Sequence, residues 1–246
     1  VRPQEDFLSL KENFVSSKRV FFENTDVIFS IVRDINQTLE LCEGTDGLFN
    51  LNSSKTLIIC STISPAFLND FIKKAPENID VIEAPMSGAP IRAKEASLTF
   101  MVGSTKNQFK TISPILNILG KTIHHIGKFG SGMSVKVLNN FVASCSVIAV
   151  RHVLSEAKNL NISTDQLLEI LNCSSGKTWF SENLYSIDWS KESYNKENTI
   201  GILEKDVNSY LDGLQDAGSK TNEAMKNFQK ALLRGLQNIP DFPNNN

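Results

Sequence analysis

Residues 128–141 read Lys-Phe-Gly-Ser-Gly-Met-Ser-Val-Lys-Val-Leu-Asn-Asn-Phe, and this stretch divides the chain. Before it, short runs rich in β-branched residues (26–32, 56–60, 80–84 and 98–103) alternate with helical patterns at 36–41, 64–75 and 106–119. Such alternation predicts parallel strands joined by crossover helices. After Gly130 the strand signals stop. Residues 131–160 read as one long helix, followed by 164–171 with Ser163 as N-cap, 199–214 and 221–236. The expected architecture is an α/β half followed by an all-α half, with the boundary near residue 130.

With 246 residues, 41% of them hydrophobic, the chain suits one large domain or two modest ones. Its net charge of −2 points to neither nucleic acid nor a membrane surface as partner. Basic residues between Lys220 and Arg234 alternate with apolar ones at helical spacing, which predicts a solvated helix face. Cys42, Cys60, Cys145 and Cys173 are scattered, without the C-x-x-C spacing of a metal or redox site. No metal is expected, and a reducing intracellular compartment suits them. The densest apolar run, 141–150, is about half what a membrane span needs. No signal-peptide pattern opens the sequence, and its first residue is Val1 rather than methionine, which leaves the natural start open.

Three stretches carry candidate chemistry. Gly127 and Gly132 have phosphate-loop spacing, but Met133 stands where that loop needs a lysine, so the glycines are read as a domain-joining turn. In the helix that follows, Lys136 and Asn140 are spaced i, i+4 and share a face, with Asn139 beside them. A lysine held among Val137, Leu138, Phe141 and Val142 would lose hydration, and its pKa would fall towards neutrality, where it can exchange protons. A snorkelling surface lysine is the bland alternative. Ser87 and Gly88, after a predicted strand, could hold an anion such as a carboxylate through a hydroxyl and close backbone N–H groups. Ser61-Thr-Ile-Ser-Pro65 also follows a strand, and reads either as a ligand loop or as a helix cap.

In order, these stretches resemble the β-hydroxyacid dehydrogenase family, of the 3-hydroxyisobutyrate dehydrogenase kind. Its S-T-x-x-P, D-A-P-V-S-G-G and G-x-G-x-x-x-K-x-x-N-N appear as Ser61–Pro65, Glu83–Ala89 and Gly130–Asn140. Ser174–Trp179 is similar to its S-S-G-x-S-W, and Lys205-Asp206 to a K-D pair on a later helix. The resemblance implies a Rossmann-type NAD(P)-binding domain over 1–129, a helical substrate and dimerisation domain over 130–240 joined by the long interdomain helix, and a disordered tail over 241–246. It implies hydride transfer between NAD or NADP and a small 3-hydroxy acid, in a homo-oligomer of the cytoplasm or mitochondrial matrix. Lys136 would be the acid/base and Asn140 would fix substrate and lysine, with Asn139 nearby. Ser87, Gly88 and Ala89 would bind the carboxylate, and Ser61, Thr62, Lys205, Asp206 and Arg2 would lie along the cofactor.

The sequence departs from that pattern at its start. The family opens with a strand, a G-x-G-x-x-G turn and a helix that hold the pyrophosphate. Val1-Arg2-Pro3 enters where the family's second strand is ending, so weakened cofactor binding and an unpaired strand edge are expected. This loss favours the alternative of a non-catalytic binding or scaffolding subunit, against which Lys136 stands. Ala89, Arg92 and Ala96 replace loop glycines, Glu83 replaces Asp, and Arg92 is expected to reach the substrate.

Overall fold

In the computed structural model, residues 10, 12–216, 218, 220 and 222–243 are described. The chain forms two compact units, residues 1–62 with 67–132, and 63–66 with 133–246. In the first, α1 (Lys18–Glu23) leads into β1 (Val27–Ser30), α2 (Ile35–Glu43), β2 (Lys55–Ile59), α3 (Pro65–Lys74) and β3 (Ile79–Glu83). Then come β4 (Met86–Ser87), α4 (Ala89–Lys94), β5 (Leu98–Gly103), α5 (Lys106–Leu119) and β6 (Gly120–Gly127).

The sheet runs β1-β2-β3-β5-β4, with β6 also on β5. Pairs β1–β2, β2–β3 and β5–β6 are parallel, while β5 runs antiparallel to β3 and β4. The expected parallel pairing thus dominates, with β5 inserted antiparallel to two of its neighbours. Two strands escape a search for apolar runs. β4 is only two residues long, and β6 (Gly-Lys-Thr-Ile-His-His-Ile-Gly) is a half-exposed strand whose polar residues hide its period. Both faces of the sheet are buried: Ile58, Ile82, Phe100 and Val102 join Ile112 and Leu116 of α5 in one core, while Leu57 and Ile59 alternate to the other side and are equally buried. The outer edge of β1 has no strand partner among the described residues.

α5 begins on a complete capping box, Thr105 with Gln108. α6 (Ser131–Asn159) begins where the sequence divides. Gly132 has a packing reason: a Cβ there would stand 2.2 Å from Met101 O and 2.8 Å from Gly103 N. Its N–H donates to Oε1 of Glu83, a fully buried carboxylate, at 2.8 Å.

The second unit continues with α7 (Thr164–Cys173), α8 (Trp179–Glu182), α9 (Thr199–Asp216) and α10 (Glu223–Gln237). Ser163 caps α7, accepting from Gln166 N. Val147, Val150 and Leu154 of α6 pack with Leu168, Phe180, Ile200, Leu203, Val207, Leu232 and Leu236. These recur at three- and four-residue steps, the period of one helix face. α6 is long and apolar enough to cross a membrane by length and composition. It nevertheless carries a charge that is held within the protein: fully buried Arg151 donates to Ser190 O at 2.8 Å, Glu192 O at 2.9 Å and Pro240 O. Of the expected tail, residues 241–243 are described. Asp241 accepts from Ser193 Oγ at 2.7 Å, and Phe242 packs under the Arg151 guanidinium at 5.7 Å. Residues 244–246 lie outside the described residues.

Two substitutions test this backbone. Gly132→Ala should cost about 2 kcal/mol or more, since main chain cannot retreat as a flexible side chain would. Exposed Ala96 has φ +49°, so Ala96→Gly should add about 0.5–1 kcal/mol. Urea midpoints of the two variants should move in opposite directions.

Candidate functional site

The helical unit holds a polar cluster of Lys136, Asn139, Asn140, Lys205 and Asp206. Lys136 and Asn140 lie one turn apart on α6, both buried. Asn140 Nδ2 donates to Asp206 Oδ2 on α9 at 2.6 Å. Asn139 Nδ2 donates to Asn140 Oδ1 at 3.1 Å, which fixes the amide's orientation because the two ends of an amide have opposite roles. Lys205 Nζ stands 2.9 Å from Asp206 Oδ1, an ion pair without the alignment of a hydrogen bond. Ser144 Oγ donates back to Asn140 O at 2.8 Å, inside the same helix.

Lys136 is 8% exposed and forms no hydrogen bond or close ion pair among the described residues. Burial pushes its ammonium below the ordinary lysine range; Asp206 pulls it back up, and the Lys205 charge lowers it again. The result is a sheltered amine whose lone pair is accessible at lower pH than that of a surface lysine. The snorkelling alternative fails on burial. Asn140 bonds Asp206 and leaves one amide hydrogen and one lone pair for a ligand, and no hydrogen bond links it to Lys136.

The α/β unit holds the other candidates. Ser87 ends β4, half-buried, paired with Thr99, and its hydroxyl makes no hydrogen bond among the described residues. Gly88 follows at φ +142° and Ala89 at φ +56°, so the chain turns sharply after the strand. Ser61 is buried at the end of β2 with its hydroxyl donating to Ser30 O at 3.4 Å, which makes it a sheet contact. Thr62 beside it is half-buried. Arg2 lies outside the described residues.

Two contacts of residues already named were hidden from sequence. Asp206 reaches Asn140 across 66 residues and two helices, which no local spacing encodes. Glu83 reads as a variant motif residue, yet it anchors Gly132 from 49 positions away.

For a dinucleotide, the carboxyl ends of parallel strands are the place to test. Ser30 Oγ, at the end of β1, is buried without a partner, and next to it Ile31 is an exposed apolar residue. An unfilled hydroxyl beside exposed apolar surface suits a ring-bearing ligand there. The described residues contain no G-x-G-x-x-G turn.

Residues 3–127 match the model of the NAD binding domain of 6-phosphogluconate dehydrogenase. Residues 130–238 match that of the NAD-binding of NADP-dependent 3-hydroxyisobutyrate dehydrogenase. The chain belongs to the β-hydroxyacid dehydrogenase family. It is 30% identical to the 2-(hydroxymethyl)glutarate dehydrogenase of Eubacterium barkeri over 160 residues, 64% of this chain and 53% of the relative. It is 27% identical to the probable mitochondrial 3-hydroxyisobutyrate dehydrogenase of Arabidopsis thaliana over 247 residues, 90% of this chain and 71% of the relative. The chain thus spans about half the length of the Eubacterium enzyme. Its fold is that of the Mycobacterium tuberculosis 3-hydroxyisobutyrate dehydrogenase solved with L-serine, at TM-score 0.72 and 21% identity over 93% of this chain and 80% of that one.

The electrostatics predict a titration. The Lys136 Cε resonance should titrate below the ordinary lysine value of about 10.4. Asp206→Asn removes a charge that raises it, so the midpoint should fall further. Lys205→Met removes a charge that lowers it, and the midpoint should rise.

Proposed function

We propose that the chain is an NAD(P)-dependent oxidoreductase that moves a hydride between nicotinamide and a small 3-hydroxy acid. The observation that carries this reading is Lys136: a buried amine of lowered pKa, without a close ion pair among the described residues, one turn from an amide oriented by Asp206. An amine of that kind is costly to keep, and acid/base work is what justifies keeping it.

Bound NAD or NADP supplies the hydride acceptor. Neutral Lys136 Nζ takes the proton from the substrate hydroxyl as the C–H pair leaves and the carbonyl forms, and in reduction the ammonium returns that proton. The remaining Asn140 amide hydrogen orients the substrate oxygen. Ser87 Oγ and the Gly88 N–H receive the carboxylate. Thr62 and Lys205 would lie along the cofactor. Asp206, through Asn140 and Lys205, acts as a positioning residue.

The names of the relatives support a hydroxy-acid substrate: 2-(hydroxymethyl)glutarate for one and 3-hydroxyisobutyrate for several. A homo-oligomer belongs to the same proposal. Exposed Leu138, Val142 and Val153 lie at near-helical steps along one side of α6 and suit a second copy. Sedimentation should return a mass above the monomer. Some relatives are named as mitochondrial, and four free cysteines suit a reducing compartment such as the cytoplasm or matrix.

Lys136→Met is the decisive variant. Turnover of 3-hydroxyisobutyrate with NAD or NADP should fall by about a thousandfold. Stability at neutral pH should rise by about 1 kcal/mol, because a buried cation is replaced by a thioether of similar length. In the unsubstituted protein, oxidation should climb with pH through the lowered Lys136 pKa and reduction should decline along the same limb. Turnover that survives Lys136→Met overturns the assignment.

A further inference from the structure

We propose that Arg92 makes the loop after β4 a two-point anion site, so that the preferred substrates carry a second carboxylate a few carbons from the first. The inference rests on the reading of Ser87 and Gly88 as the first anion contact and extends it to a substrate class.

The geometry places the Arg92 stem over Gly88. A Cβ on Gly88 would stand 2.7 Å from Arg92 Cβ and 2.8 Å from Arg92 Cδ. The backbone keeps that arrangement: Arg92 N donates to Gly88 O at 3.3 Å, and Arg92 O accepts from Ser97 N at 2.8 Å. With Cδ held there, beside the residue that follows Ser87, the guanidinium begins one bond further on.

The guanidinium is also uncommitted. It forms no ion pair or hydrogen bond among the described residues, although Glu95 is on the next turn and its Oε2 accepts instead from Ser97 Oγ at 3.3 Å. An arginine whose stem already rests on backbone loses less freedom on binding than one waving in solvent. Its planar fork takes a carboxylate through two parallel N–H groups. A monocarboxylate satisfies Ser87 and Gly88 and leaves this fork to water. A dicarboxylate satisfies both. Gly88 has to be glycine on the same grounds, since any side chain would displace the arginine stem.

The test is calorimetric titration of the whole chain with glutarate and with butyrate, at matched ionic strength. Glutarate should bind at least about tenfold more tightly, the size of one charge-assisted contact. Arg92→Gln should abolish that preference, and Arg92→Lys should restore part of it, keeping the charge without the fork. Ser87→Ala should weaken both acids together. Equal affinities, no binding of either acid, or a preference that survives Arg92→Gln each overturn the proposal. Catalysis does not enter these titrations. Lys136→Met that leaves turnover intact would therefore remove the dehydrogenase reading while the glutarate preference still stood, and loss of the preference would leave the dehydrogenase reading untouched. Kinetics with 2-(hydroxymethyl)glutarate against 3-hydroxyisobutyrate should show the same Arg92 dependence.

Discussion

A carboxylate sealed from water must find donors, and Glu83 finds one in the Gly132 N–H at 2.8 Å. That contact sets where the chain leaves β6 and starts α6. It interlocks three positions, because a Cβ on Gly103 would collide with Glu83 Oε1 at 1.8 Å and one on Gly132 would collide with Met101 O at 2.2 Å. A longer acid than the family's aspartate thus occupies space that two glycines leave open. With the origin of α6 fixed, helical periodicity alone carries Lys136 and Asn140 to one face, four and eight residues later.

The polar cluster around that face is unevenly balanced in charge. Lys136 bears the cost of desolvation without a close counter-charge, while Asp206 is neutralised by Lys205 and hydrogen-bonded by Asn140. A direct Lys136–Asp206 pair would hold the amine protonated and idle. Holding the carboxylate one residue removed lowers the cost of the buried ammonium without binding its proton too firmly. Such a balance explains why two lysines and one aspartate, formally a net positive cluster, are kept together in a largely apolar helical core.

Much of this was legible in sequence because it is local. The long helix, its Lys136/Asn140 face and the capping of α7 by Ser163 follow from spacing and residue type. β6 was missed because its exposed residues outnumber its half-buried ones and no apolar run marks it. The antiparallel entry of β5 was missed because strand direction depends on how the chain turns at 84–97, where β4 and α4 are too short to leave a pattern. The Asp206–Asn140 and Glu83–Gly132 contacts were out of reach for the same reason: each joins residues far apart in the chain, and a single sequence contains no trace of who meets whom.

Arg151 has a consequence of another kind. One interior guanidinium is coordinated by carbonyls from residues 190, 192 and 240. The segment around Pro240 is therefore a ligand of α6, and the seam it closes ties the middle of the longest described helix to a segment 89 residues further along the chain. Trimming by a protease at that point would leave the interior cation with the carbonyls of Ser190 and Glu192 alone, so the helical unit is sensitive to the integrity of that segment.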